Sequence, residues 1–244
     1  MLNKMIKKVS EIMKEQQFNP GILGIFINPF YFVRKELYKN ISLLGKQIGG
    51  KVLDIGCGSK PYQKLFTNTK EYVGMEFNSP ENRKRSSADI FYDSKHFPFE
   101  NETFNSVIFT QVLEHIFNPD EFLSEVNRVL KKDGCILLTA PFIWDEHEQP
   151  HDYARYSSFG LKHILLKHGF KIVESYKTLE DIRVIFQIIN CYIYKIIPLK
   201  NYRFRLCFYV LFISPFTILG LFLSLILPKN KDLYMDNIIL AKKI

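Results

Sequence analysis

Cysteine is scarce and scattered. Cys57, Cys135, Cys191 and Cys207 are the four in 244 residues, and none forms a Cys-x-x-Cys pair, which fits a reducing, cytoplasmic compartment. No apolar run before the polar Glu11 to Gln17 stretch is long enough for a signal-peptide core, so export is not expected. Zinc-finger, RNA-recognition and helix-turn-helix signatures are lacking, and the basic residues form no stripe interleaved with aromatics. A formal net charge of +8 still calls for a negatively charged partner. Those absences rank nucleic acid below an anionic membrane surface. Internal repeats and low-complexity tracts are also missing.

What is present begins with a basic amphipathic pattern. Leu2, Met5, Ile6, Val9, Ile12 and Met13 recur at helical spacing within residues 2–16, with lysines and Glu11 opposite. Such a helix packs on a core, lies on a membrane or caps a site. Asn19, Pro20 and Gly21 end it. A second helix is expected from Pro29 to about Gly45, closed by a Gly49-Gly50 turn. From Lys51, strands and helices alternate: "KVLDIG", a helix from Pro61, "EYVGME", a short "SADIFY" strand, "FNSVIFT", a helix over 119–131 and "GCILLTA". A helix over 157–168 and the strands "FKIVESYK" and "DNIILAKKI" complete the series. The pattern predicts an α/β fold with a mostly parallel sheet and helices on both faces. The expected divisions are an N-terminal helical cap (1–49), the core (50–180), an apolar helical insertion (181–235) and the last core strand (236–244).

The first chemical signal is "VLDIGCGSKPY". An apolar strand delivers Asp54 to its carboxyl end, where Gly56 and Gly58 let the backbone turn tightly and approach a ligand. Pro61 holds the place of the third glycine in a dinucleotide fingerprint. A carboxylate beside the turn would repel a pyrophosphate but suits the ammonium and sulfonium charges of S-adenosylmethionine. Glu76 ends the next strand about twenty residues on, the spacing at which an acid meets ribose hydroxyls. Either acid alone reads equally as a helix cap or a surface group; together, on consecutive strands, they point to a nucleoside cofactor.

These segments resemble the class I S-adenosylmethionine-dependent methyltransferases, specifically the type 11 family, over roughly residues 50–180 plus the last strand. "VLDIGCG" resembles the first motif, "YVGMEF" the second, "ADIFYDSKHFPFENETFNSVIFTQVLEHI" the third and fourth, and "EVNRVLKKDGCILLTAP" the family's next helix, turn and strand. The resemblance implies a Rossmann-like sheet, mostly parallel with an antiparallel last strand. It places Asp54, Gly56, Cys57 and Gly58 around the methionine part of the cofactor and Glu76 on its ribose. It puts Phe77 beside the adenine, Asp89 and Ile90 at the adenine edge, and Gln111 facing the cofactor. Lys60-Pro61 departs from the small residue many relatives keep there, which puts the contacts of residues 59–62 in question.

Methyl transfer from a sulfonium is an in-line displacement, so the protein mainly aligns the acceptor and excludes water. A hydroxyl acceptor also needs a base, and His115, His147 and His151 are the candidates. His115 follows the fourth strand in "QVLEHI", a pair that also has a structural reading. "PFIWDEHEQPHDYARYS" comes after the fifth strand and is the expected acceptor loop, with Glu146, Tyr153, Arg155 and Tyr156 as contacts; its plainer role is to cap the helix at Ser157. "HEQPH" matches H-E-x-x-H formally, but Pro150 would sit inside the helix that a zinc protease needs, at about 3 kcal/mol. No metal site is expected from the spacing, although a carboxylate and imidazole cluster could hold a divalent ion.

Residues 206–227 carry no charge and are long enough to span a bilayer at about 20 residues. If the last strand pairs with "FKIVESYK", one crossing would strand it on the wrong side. Pro215 and Gly220 are expected to break the run into a monotopic hairpin, with Lys195, Lys200, Arg203, Arg205, Lys229 and Lys231 facing anionic lipid across 184–231. A buried hairpin or a dimer interface is the alternative. The chain is expected to methylate a membrane-proximal small molecule from the cytoplasmic face: a polyprenyl-linked sugar of surface-polysaccharide biosynthesis, or a quinone precursor. A non-catalytic membrane scaffold and a methyltransferase of a soluble macromolecule are the rivals.

Overall fold

The computed structural model describes residues 15–93, 95–197 and 201–244, without the side chains of 202 and 203. The amphipathic pattern, except for its last two residues, lies outside them, as do Lys200 and the Arg203 side chain. The chain divides into two compact units. One takes residues 40–177 with 236–244; the other takes residues up to 39 with 178–235. The boundary cuts helix α1 (Tyr31–Leu44) rather than falling at residue 49.

The first unit is built on seven strands: β1 (Gly49–Ile55), β2 (Asn68–Phe77), β3 (Ile90–Tyr92), β4 (Phe104–Thr110), β5 (Leu130–Pro141), β6 (Phe170–Lys177) and β7 (Asp236–Lys243). They lie in the order β3-β2-β1-β4-β5-β7-β6. All neighbours are parallel until β7, which runs antiparallel to both β5 and β6 and sits between them. Burial explains the composition of the central strands. Val52, Leu53, Ile55, Val107, Ile108, Phe109, Leu137 and Leu138 are all at most 1% exposed, so both faces demand apolar side chains. Helix α3 (Pro119–Val129), which lies between α2 (Pro80–Arg85) and α4 (Ser158–Lys167) in the chain, shows the complementary pattern. Pro119 opens it, Asp120 and Glu121 fill its first turn, and Phe122, Leu123, Val126 and Val129 form its buried stripe. That stripe joins Leu53, Phe104, Phe109 and Leu165 in one core.

Two expected elements differ. No helix starts at Pro61: residues 56–67 make a turn and one 3-10 turn, Gln63–Leu65, before β2 begins at Asn68. Twelve residues are the minimum for a parallel crossover, and the early start of β2 leaves no length for a helix. Gly49 and Gly50 do not form a closing turn either. They open β1, and the shift of register between Gly50 and Lys51 marks a bulge, with Gly50 at φ 71°.

The second unit is helical. Helix α5 (Arg183–Ile196) packs on α7 (Ser214–Ser224), which continues α6 (Tyr202–Phe208) through a π-helical turn, Tyr209–Ile213. Buried Gln187 on α5 donates to the Pro29 carbonyl at 3.0 Å and accepts from the Val33 amide at 3.3 Å. Asn190 donates to Thr217 Oγ1 at 2.9 Å. The expected break into a hairpin does not occur. Pro215 stands in the first turn of α7, and the wider i→i+5 ladder just before it absorbs the missing amide. Gly220 is a packing residue, since a Cβ there would come within 2.9 Å of Phe32 and 3.0 Å of Phe186.

Candidate active site

The sheet order reverses beside β1: the chain passes from β1 to β2 and β3 on one side, and β4 and β5 lie on the other. The carboxyl ends of these strands are where an open parallel sheet holds its ligand. Every candidate residue between Asp54 and Tyr156 belongs to this unit.

At the end of β1 the backbone turns through Gly56 (φ 66°) and Gly58 (φ 48°), a region that side-chain-bearing residues enter at a cost. Gly56 is needed for space as well, because its Cβ would fall 2.5 Å from Val112 Cγ2. A Cβ at Gly58 would meet nothing within 4 Å. Gly58 therefore borders open space. Its amide donates to Glu76 Oε2 at 3.0 Å, while Phe77 donates to Glu76 Oε1 at 3.1 Å. Burial raises the Glu76 pKa against the lowering effect of those two amides.

Asp54 is buried, and burial pushes its pKa to about 7 even though the Tyr72 hydroxyl donates to it at 2.6 Å. The neighbouring Cys57 thiol is pushed up to about 12, chiefly by burial and then by Asp54. It is a thiol, not a nucleophile. Asp89 accepts from the Gly74 amide at 2.7 Å and pairs with Lys60 at 2.6 Å. Its pKa is lowered: burial opposes, but the hydrogen bonds from Lys60 and Gly74 prevail. Ile90 lies next to it at the start of β3, and exposed Phe77 meets Tyr92 edge to face at 6.4 Å. Gln111, at φ 56°, ends β4 with its amide and side chain both on Thr139.

On the other side, the loop after β5 folds back on the end of β4. Tyr153 and Ala154 donate to the Glu114 carbonyl at 2.8 and 3.2 Å. Arg155 holds the loop: it grips Asp152 with two bonds of 2.6 Å and donates to the carbonyls of Asp145 and Ala154 at 2.8 Å. That pairing depresses the Asp152 pKa. The loop gathers His115 and His147, whose rings meet edge to face at 4.8 Å. His115 Nδ1 lies 2.6 Å from the His151 carbonyl, and His151 Nδ1 lies 2.9 Å from the Tyr153 hydroxyl. Burial, then His115, lowers the His147 pKa against the pull of Asp152. Beneath them Glu114 is fully buried, neither carboxylate oxygen finds a hydrogen-bond partner among the described residues, and burial pushes its pKa to about 8. Glu114, His115 and His147 each offer a ligand atom within 4.8 Å of the others.

The expected residues thus fall into two groups. Asp54, Gly56, Cys57, Gly58, Glu76 and Asp89 surround the glycine turn, while His115, His147, His151, Tyr153 and Arg155 share the loop. Glu146 is exposed, 3.4 Å from Gln149, and Tyr156 engages the frame through its backbone, accepting from Asn237 at 2.7 Å. His147 and His151 do not share a helix, because residues 145–156 form no helix. Tyr72, Lys60, Asp152 and Glu114 were not expected. "QVLEHI" carried a signal for the last in the acid beside His115.

A family model described as a methyltransferase domain matches residues 30–191. Over 116 residues the chain is 30% identical to the demethylmenaquinone methyltransferase of Staphylococcus saprophyticus, covering 43% of this chain and 48% of that protein. The chain spans about half the length of the curated relatives it matches. The fold matches phosphoethanolamine N-methyltransferase 2 of Haemonchus contortus, solved with S-adenosyl-L-methionine. The TM-score is 0.53 at 17% identity, over 94% of this chain and 59% of that one. It also matches the [4+2]-cyclase SpnF, with a TM-score of 0.53 at 17% identity over 84% and 80%. Fold alone therefore leaves the reaction to the site.

Proposed function

The chain belongs to the class I S-adenosylmethionine-dependent methyltransferase family, and from that premise we propose that it methylates a small molecule held at a membrane surface. The observation that carries the membrane part is the helical run Phe204–Ser224: 21 residues, mean hydropathy 2.3, 28% buried. Leu211, Phe212, Phe222 and Leu225 are 54 to 85% exposed. The run does not cross a bilayer, because β6 before it and β7 after it lie in one sheet. Helix α5, at 14 residues and with buried Gln187 and Asn190, is too short for a return span. The interface of a bilayer would take up the exposed apolar side chains of a helix that cannot cross. Arg205 near its start and Lys195, Lys229 and Lys231 beyond its ends are placed for anionic head groups.

The cofactor end fits its ligand. Open space at Gly58 admits the methionine part beside Gly56 and Cys57, and Asp54 supplies the charge that a cation would draw into ionised form. Glu76 retains acceptor capacity for ribose hydroxyls, with Phe77, Asp89 and Ile90 on the adenine side and Gln111 facing the centre. S-adenosylmethionine supplies a methyl group already activated by its sulfonium. At the other end the loop residues Glu146, Tyr153 and Tyr156 contact the acceptor, and Arg155 fixes the loop. His151, exposed and set by Tyr153, takes a proton from an acceptor hydroxyl, with His115 and His147 lining the place. The demethylmenaquinone methyltransferase relative favours a quinone precursor with an isoprenoid tail over a lipid-linked sugar.

The test is label transfer from methyl-tritiated cofactor in the presence of a membrane extract, with flotation on vesicles containing phosphatidylglycerol. Label in the organic phase and co-flotation that is lost in Leu211→Glu with Phe222→Glu are expected. Label in aqueous or protein fractions, or cofactor binding without any transfer, overturns the reading.

A further inference from the structure

Glu114 poses a problem that the chain does not solve by itself. A carboxyl group shut away from water with no hydrogen-bond partner among the described residues is costly, and an imidazole stands at its edge. His115 brings Nε2 to 3.9 Å from Glu114 Oε1, and the His147 ring stands against that of His115. Ligand atoms from the three lie within 4.8 Å of one another. Metal bonds of about 2.1 Å place neighbouring ligands roughly 3 to 4 Å apart, so side-chain shifts of about an ångström close the set.

The far side of each ring is also arranged. His115 Nδ1 faces the His151 carbonyl at 2.6 Å. His147 Nδ1 lies 3.3 Å from both Asp152 Oδ2 and the Asp145 carbonyl. Donation from Nδ1 to these oxygens leaves each Nε2 as the nitrogen with a free lone pair. Asp152 is itself clamped by Arg155. A carbonyl or carboxylate behind each imidazole is the outer arrangement that orients metal-binding histidines and raises their basicity.

We propose that Glu114, His115 and His147 form a binding site for one divalent transition-metal ion, with Asp152, Arg155 and the His151 carbonyl as its outer support. Two imidazoles and one carboxylate suit zinc, iron or cobalt better than magnesium or calcium, which prefer oxygen throughout. Three protein ligands leave coordination positions open. An acceptor hydroxyl oxygen taken up there is held in place, and its proton leaves more readily to His151 or water. This role rests on reading the loop as the acceptor end; ion binding itself does not.

The test uses the full chain after chelator treatment. Zinc is titrated by calorimetry with metal analysis of the dialysed protein, and cobalt is followed by its visible absorption. One equivalent is expected. His147→Ala, at a residue whose side chain is 26% exposed, is expected to weaken binding at least 100-fold, and Asp152→Asn about 10- to 100-fold. Cofactor affinity should be unchanged in both. Because Glu114 is buried, Glu114→Gln is read only where circular dichroism matches the parent. Folded, cofactor-binding protein that takes up neither ion overturns the site, as does His147→Ala that binds like the parent. Methyl transfer undiminished in chelator removes the ion's role and leaves the acceptor reading standing. Stoichiometric uptake without transfer supports the site and overturns that reading instead.

Discussion

The two halves of the strand-end cleft are finished differently. Around the glycine turn each acid is answered by the chain itself: Tyr72 serves Asp54, the Gly58 and Phe77 amides serve Glu76, and Lys60 with Gly74 serves Asp89. Across the cleft neither carboxylate oxygen of Glu114 has a hydrogen-bond partner among the described residues. A half that is internally satisfied is ready for a ligand that adds contacts. A half with an unanswered buried acid is incomplete until something arrives.

The largest expected effect is at the first half. Gly56→Ala forces a Cβ to 2.5 Å from Val112 in a left-handed turn. It should lower the melting temperature by roughly 5 to 10 °C and abolish measurable cofactor binding in calorimetry. Gly58→Ala separates space for the ligand from space for the fold. Its Cβ meets no atom of the described residues within 4 Å, so stability should fall by only about 1 to 2 kcal/mol from backbone strain, while cofactor affinity falls at least tenfold. Equal losses of stability in the two variants would show that Gly58 does not border the ligand.

Next comes the loop. Arg155→Lys replaces a two-pronged grip on Asp152 and its links to the loop carbonyls with a single point of charge. We expect kcat/KM for the acceptor to fall by about 10- to 100-fold, with cofactor affinity within a factor of two of the parent. A matching loss of cofactor affinity would mean that the halves are not independent, and the contrast between them would collapse.

The same contrast decides what could be read without a structure. The first half lies almost in one stretch: an apolar strand, Asp54, two glycines, and an acid at the next strand end. Each carries its meaning in local backbone physics. The central strands were legible for the same reason, since strands buried on both faces must be apolar runs. Tyr72 was not legible, because a tyrosine in a strand is ordinary and only the register of β1 on β2 brings its hydroxyl to Asp54. In the second half, Glu114 and His147 are separated by a helix and a strand, and they meet because the Arg155–Asp152 clamp and the Tyr153 and Ala154 amides on the Glu114 carbonyl fold the loop back. Pro150 ruled out a helical H-E-x-x-H correctly, but no spacing rule pairs His147 with His115. The π-helical turn was hidden as well, because Pro215 looks like a break unless the ladder before it is seen to widen.

A pH series tests whether the first half is truly satisfied. Asp54 has a folded pKa near 7, above its ordinary value of 3.8. Its contribution to stability is therefore complete below about pH 4 and is lost as the pH rises through 7. The ligand-free protein should melt several degrees lower at pH 8 than at pH 5.5, and Asp54→Asn should flatten that part of the slope. Cofactor affinity should run the other way, rising through pH 7, because the cation binds the ionised carboxylate. A fall in affinity over that range would mean that Asp54 does not face the cofactor's charge.

The smallest expected effect sharpens this further. The Tyr72 hydroxyl donates to Asp54 at 2.6 Å and favours the ionised form against burial. Tyr72→Phe removes that donor and keeps the ring that stacks on Phe66 at 6.2 Å. A hydrogen bond to a charged group contributes about 1.5 to 3 kcal/mol, equivalent to roughly one to two pK units. The midpoint of the affinity rise should move that far toward alkaline pH. Saturating affinity at high pH should stay near that of the parent, because the ligand's own charge then replaces what the tyrosine supplied. An unmoved midpoint would place control of Asp54 in burial alone, and the first half would prove as dependent on its ligand as the second.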